Sequence, residues 1–365
     1  MSARKRPRCL GFAAALLLCS ALGSVEANAD FRPCVRQDGT ALRDAHWAGL
    51  QPGHPLRGQV LKHGQPIAVE AGNCVRSPLQ QLIVEVWTVL GEGGIVLLGE
   101  VHDNSEQHLV RADMLWPRLE SLSAENGPRP AAVFEHLYAG QQARVENFYA
   151  VASNNAPLTA EHLLQRLDWR NSGWPSADIF YPLFDSVLGA KLPVVAGDAP
   201  RDRVRALTRQ GASALPDDDR ALLDMSAAMP KSLRDALTKK IESSYCELMP
   251  AAALEGTNAG QRYRDAHMAK TLIKAAEQHG SAILLAGNDH VRRDRGVPWY
   301  LGQLAPEKKV VTVMLREEEV GWNNPQDYLP FDPHGHLAAD YVLFTPAHDR
   351  PDYCAKVGRH LQSNN

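Results

Sequence analysis

Residues 95–102 read Ile95-Val96-Leu97-Leu98-Gly99-Glu100-Val101-His102. Four consecutive apolar residues are too few for a buried helix, and the first two are β-branched. Closed by a glycine, the run marks a strand buried on both faces. The same pattern recurs along the chain. Ala131–Phe134 precedes Glu135-His136, and Leu192–Ala196 precedes Gly197-Asp198. Ala282–Ala286 precedes Gly287-Asn288-Asp289-His290, and Val310–Leu315 precedes Arg316-Glu317. Helical spacing lies between these runs. Leu109, Ala112, Leu115, Trp116, Leu119 and Leu122 follow the first strand, and Gln141–Ala152 follows the second. Such alternation predicts an α/β fold with a mainly parallel central sheet flanked by helices.

Residues 201–278 carry no strand signal. Helices are expected there at Asp202–Gln210, Pro216–Met225, Lys231–Tyr245 and Tyr263–His279. They form a helical insertion between the third and fourth core strands, expected to cap one edge of the sheet. Residues 30–80 are rich in glycine, proline and turn formers. They read as an N-terminal extension with a hairpin in Leu56–Val69 around His63-Gly64. The α/β domain then spans 81–322. Residues 323–365 read as a tail with one further strand at Tyr341–Phe344.

The first 29 residues have the layout of a secretory signal. Arg4, Lys5, Arg6 and Arg8 precede an apolar stretch at Leu10–Leu22, which ends in Ala27-Asn28-Ala29. The stretch is shorter than the roughly 20 residues a bilayer needs. Cys19 follows Leu18, where a lipoprotein signal wants a small residue, so the expected location is exported, periplasmic or envelope-associated. Cleavage after Ala29 leaves 35 basic against 41 acidic residues, a net charge near −6. That balance argues against a nucleic-acid partner, which needs a basic face. Four cysteines remain, Cys34, Cys74, Cys246 and Cys354. They can pair in three ways, with Cys34–Cys74 the local option. No CxxC or CxxCH spacing supports a zinc site or covalent haem.

Ligands in open α/β sheets bind beyond the carboxyl ends of the strands. In a parallel sheet, one rim would gather two Gly-x-x-His units ending in His102 and His290, with Glu100 and Glu135 beside them. Convergent histidines and carboxylates are what a ligand site needs. The plain alternatives are a helix cap for Asp103 and structural hydrogen bonds for each histidine. Arg292 and Arg293 after His290 are candidates to clamp an anion, with a solvated loop as the alternative. Trp169, Trp174 and Tyr181 form an aromatic cluster that suits core packing or a pocket for a flat ligand.

Several motifs carry a family resemblance. They are LLGEVHDNSEQH at Leu97–His108, SGWP at Ser172–Pro175, GQRYRDAHMA at Gly260–Ala269 and AGNDHVRRDRGVP at Ala286–Pro298. HPLRG at His54–Gly58 matches as well. Together they resemble the ChaN-like haem-binding family, within the Tiki/TraB/erythromycin-esterase group that shares paired Gly-x-x-His motifs. The likeness runs from His54 to Leu315. It implies a bacterial envelope protein that binds haem in iron uptake, often as a lipoprotein, with an outer-membrane haem receptor as partner. It also implies haem held by His and Tyr at a homodimer contact. The motif histidines fall on His102 and His290, and both residue types are known haem ligands. Where relatives carry His-Cys-Gly, this chain has Tyr245-Cys246-Glu247, which either supplies a Tyr ligand at Tyr245 or removes a His ligand, with an aromatic on a buried helix face as the plain alternative. Arg292 and Arg293 would then face the propionates. The wider group supplies an alternative, a metal-dependent hydrolase. There His102, His290 and Glu135 hold Mn or Zn and Glu100 is the general base.

Overall fold

A computed structural model describes residues 54–67, 77–115, 129–152 and 158–354. The signal segment, Cys34, Cys74 and the helical positions Trp116, Leu119 and Leu122 lie outside the described residues. The strands are β1 (Val60–Lys62), β2 (Gln65–Pro66), β3 (Ile95–Leu98), β4 (Ala131–Tyr138), β5 (Val194–Asp198), β6 (Ala282–Leu285), β7 (Val310–Glu317) and β8 (Tyr341–Thr345). They form one sheet in the order β2-β1-β8-β7-β3-β6-β4-β5. The six strands from β8 to β5 are mutually parallel, and β1 and β2 join antiparallel at one edge. The fold is the α/β class read from the sequence. β4 runs four residues past Phe134, so Glu135 and His136 stand within a strand rather than after it.

The helices are α1 (Pro78–Gly91), α2 (Ser105–Leu115), α3 (Gln142–Ala152), α4 (Ala160–Arg166), α5 (Tyr181–Gly189), α6 (Arg201–Gln210), α7 (Asp217–Met225), α8 (Lys231–Ser244), α9 (Ala251–His279) and α10 (Val297–Leu304). α1 shows why such segments coil. Ser77 accepts from the Gln80 N–H, the Gln80 side chain accepts from the Ser77 N–H, and Pro78 opens the first turn. Its buried stripe of Leu79, Leu82, Ile83, Val86 and Leu90 then packs on the sheet. Strand residues alternate between two cores. Val96, Leu98 and Phe134 pack with Trp87, Phe180 and Phe184 on one face. Ile95, Leu97 and Val133 pack with Ala269, Leu272 and Tyr300 on the other. At one sheet edge, His63 and Gly64 take φ of 48° and 78°, as a two-residue hairpin turn requires.

β8 hydrogen-bonds along the outer side of β7 and carries β1 and β2. Residues 54–67 and 341–345 therefore share the sheet of the α/β domain, and divisions at 80 and 323 cut through its hydrogen bonding. Cys246 pairs with Cys354, joining the insertion to the chain's C-terminal part across 108 residues.

Candidate functional site

β6 lies between β3 and β4, so the turns leaving these three strands are neighbours. The two Gly-x-x-His units fit because of their glycines. A Cβ on Gly99 would stand 2.4 Å from Asn288 Oδ1 and 2.7 Å from a Val291 methyl. A Cβ on Gly287 would stand 2.9 Å from both Cε1 and Nε2 of His102. Each glycine makes room for the other unit's loop. The Asn288 N–H donates to the Glu100 carbonyl at 2.8 Å and locks them together.

On one side of this junction Glu100 is a fully buried hub. His102 Nδ1 and His136 Nε2 both donate to its Oε1 at 2.8 Å. Its Oε2 pairs with the buried Arg111 guanidinium, which neutralises the carboxylate. His108 Nε2 donates to the His102 carbonyl at 3.0 Å and its Nδ1 accepts from Arg111 at 2.8 Å. Burial keeps all three histidines neutral. It lowers His102, lowers His136 well below the ordinary value and lowers His108 to about 4. With Nδ1–H given to Glu100, His102 presents a bare Nε2, and its side chain is 36% exposed. His136 is enclosed, and its Nδ1 is buried without a partner. Trp174 stands edge-on to His102 at 4.8 Å between ring centroids and donates its indole N–H to the His136 carbonyl. Ser172 positions this indole by accepting from the Trp174 N–H at 3.1 Å. Trp169 and Phe180 close the far side of His136.

On the other side, Glu135 and His290 form a second buried network. His290 Nδ1 is 2.5 Å from Asp265 on α9, and Nε2 is 2.9 Å from Glu135. Burial alone would lower His290, but Glu135 and Asp265 outweigh it and raise it to about 10. Burial works on Glu135 in the opposite sense. His290 and Arg264 overcome it and hold that carboxyl well below the usual range. The other Glu135 contacts are Arg264 at 2.8 Å and the Gly287 N–H at 2.7 Å. Arg264 also holds Asp198 at the end of β5.

The structure thus brings His102, His290, Glu100 and Glu135 to one junction, but in unequal states. His290 is an imidazolium with both nitrogens taken, so it has no lone pair for iron or another metal. Glu135 has both oxygens engaged. Glu100 has no contact with solvent through which to activate water, which removes its general-base role. Among the described residues, the group with metal-ligand spacing is Glu100, His102 and His136, not His102, His290 and Glu135. Arg292 is committed to Asp294 and the Phe331 carbonyl, and Arg293 to Asp340 on the approach to β8. Neither guanidinium is a free clamp. Tyr245 is exposed at the end of α8, beside the disulfide. In place of these, His136, His108, Arg111, Arg264 and Asp265 complete the site. A sequence signal existed for four of them: His136 follows Glu135 at the second strand run, His108 closes the quoted Leu97–His108 motif, and Arg264 and Asp265 lie inside the quoted Gly260–Ala269 motif.

Residues 86–301 match the family model described as haem-binding uptake, Tiki superfamily, ChaN. The chain belongs to this family. Both Gly-x-x-His units lie inside the matched span, whereas β1, β2, β7 and β8 lie outside it. Among solved structures, a ChaN from Campylobacter jejuni with cofacial haem binding superposes with a TM-score of 0.57 at 18% identity. The match covers 78% of this chain and 95% of that one, and it shows the shared ChaN-like fold. The type III effector HopBA1 is also similar, at 12% identity and a TM-score of 0.36, over 77% of this chain and 98% of the effector. No curated protein sequence matches the chain.

Proposed function

We propose that this protein is an exported haem-binding protein of the bacterial envelope, with His102 Nε2 as its iron ligand. The observation that carries this is the state of that nitrogen. It has no protein partner among the described residues, its ring is neutral and partly exposed, and Gly287 puts no side chain against it. A ligating histidine ordinarily gives its other N–H to a carboxylate or carbonyl, which fixes the tautomer. Buried Glu100 fills that place. Haem supplies an iron centre and a broad apolar ring, and Trp174 offers an indole edge beside His102 for that ring. Export is supported by the basic and apolar N-terminal pattern and by the Cys246–Cys354 bond, which belongs in an oxidising compartment. A role in haem uptake, an outer-membrane receptor and a second copy of the chain as partners follow from the family resemblance.

A metal reading has the Glu100, His102 and His136 trio in its favour, since their ligand atoms lie within 4.8 Å of one another. Arg111 weighs against it, because its guanidinium already occupies the carboxylate that a dication would use. One experiment separates the two. Haemin titrated into the mature protein should give a saturable Soret shift that His102→Ala removes and His290→Gln leaves in place. Stoichiometric Mn or Zn in the protein as isolated, with no Soret shift, refutes the haem reading.

A further inference from the structure

We propose that Arg201 is the counter-ion for a ligand carboxylate at this site, making it selective for tetrapyrroles whose propionates are free. The proposal rests on the haem reading above and names a contact that neither the motifs nor the family match assigns.

Arg201 opens α6, just beyond the end of β5. Its guanidinium carbon lies 4.8 Å from the centre of the Tyr138 ring. Tyr138 is two residues beyond His136 at the end of β4, past the irregularity in its pairing with β5. The guanidinium also donates to the Ser172 carbonyl. Ser172 in turn positions Trp174, whose ring borders His102. Arg201 and His102 therefore both meet the Ser172–Trp174 segment, one through the Ser172 carbonyl and the other through the Trp174 ring.

The arginines of the Glu100 and Glu135 networks are neutralised by carboxylates, and Arg201 is not. Arg111, Arg264, Arg292, Arg293 and Arg350 each hold a carboxylate. Among the described residues no carboxylate pairs with Arg201. It is half-buried, stacked on a ring and bonded to a single carbonyl. A guanidinium has five donors in a planar fork, suited to a carboxylate held by two parallel hydrogen bonds. A cation on an aromatic face is strengthened where water is thin. Arg201 thus has the unspent donors and the position to receive an anionic edge of a flat ligand lying against Trp174. The carboxylates of haem are its propionates, and esterification removes their charge while leaving the iron and the ring.

The test crosses ligand with protein. Haemin and haemin dimethyl ester are titrated into wild type, Arg201→Ala, Arg201→Gln and Arg201→Lys, with the Soret band as readout. Wild type should prefer haemin by about tenfold or more, the scale of one charge-assisted pair. Arg201→Ala and Arg201→Gln should lose that preference through weaker haemin binding alone, with ester affinity and Soret position unchanged. Arg201→Lys should recover part of it. Glutamine keeps a donor for the Ser172 carbonyl, so it separates lost charge from lost local structure. If wild type binds both ligands equally, or Arg201→Gln keeps the preference, the Arg201 assignment is overturned while haem binding at His102 stands. If the variants weaken ester and haemin alike, the residue is structural and the assignment is overturned. If wild type binds neither ligand, both this inference and the haem reading fall.

Discussion

His102 and His290 end identical-looking motifs, yet one keeps a free ring nitrogen and the other is a buried cation. The difference is the number of carboxylates each meets. His102 has Glu100 on one nitrogen, whereas His290 has Asp265 and Glu135 on both. Spacing within each motif shows two histidines at two strand ends. It is silent on Asp265, which arrives from α9, 25 residues upstream. The convergence was thus legible and the division of labour was not. Arg292 and Arg293 misled for a related reason, since their partners Asp294 and Asp340 are set by packing. At this scale Gly287→Ala should weaken haem binding at least about tenfold and destabilise the fold by about 1–3 kcal/mol, because the methyl collides with the His102 ring. Parallel haem titration and denaturant unfolding read the two effects. Protonation gives a second prediction. His102, His108 and His136 are depressed below 6.5, so their contribution is intact above that pH and is lost as pH falls toward about 4, the His108 value. His290 is raised to about 10, so its contribution is intact below 6.5 and is lost as pH rises through about 10. The urea midpoint should peak between these limits and fall on both sides. A midpoint that keeps climbing toward pH 10 would contradict the His290 assignment.

The elements were readable wherever one period dominated. Short apolar runs closed by glycine or by charge located β3, β4, β5, β6 and β7, because strands buried on both faces must be apolar throughout. α9 was read only in part. It spans Ala251–His279, but the sequence shows its periodicity only from Tyr263. Its first half carries Gly256 and Gly260, which disfavour a helix by propensity. Both are there for packing against α6. A Cβ on Gly256 would come within 2.3 Å of the Thr208 carbonyl, and one on Gly260 within 2.9 Å of the Thr208 methyl. Alanine at 256 would gain about 1 kcal/mol of helix propensity. It would lose more by forcing the helices apart, with overpacking typically costing about 1–3 kcal/mol. Gly256→Ala should therefore lower the thermal midpoint. An unchanged or raised midpoint would mean that α6 and α9 do not pack this closely.

Across the whole molecule, the chain ties its late residues back onto the site. Arg350 holds Asp103, next to His102, and Glu317 at the end of β7. Four residues later Cys354 is bonded to Cys246 at the end of α8. The cysteine count allowed this pairing but favoured none, because the geometry that selects it exists only once β8 lies in the sheet. Closing a loop of this length restricts the unfolded chain by about 4–5 kcal/mol in the chain-entropy model. Cys354→Ser should lower the unfolding free energy of the unreduced protein on that order, and dithiothreitol should lower that of wild type by at least as much. A reduced wild type as stable as the oxidised one would contradict the account. The claim beneath the function is that one imidazole nitrogen, His102 Nε2, meets the iron. Electron–nuclear double resonance on the ferric haem complex, with ring-15N histidine, tests it most directly. The account predicts a histidine nitrogen coupling that vanishes in His102→Ala and persists in His290→Gln. A coupling that survives His102→Ala, or disappears with His290, would contradict it.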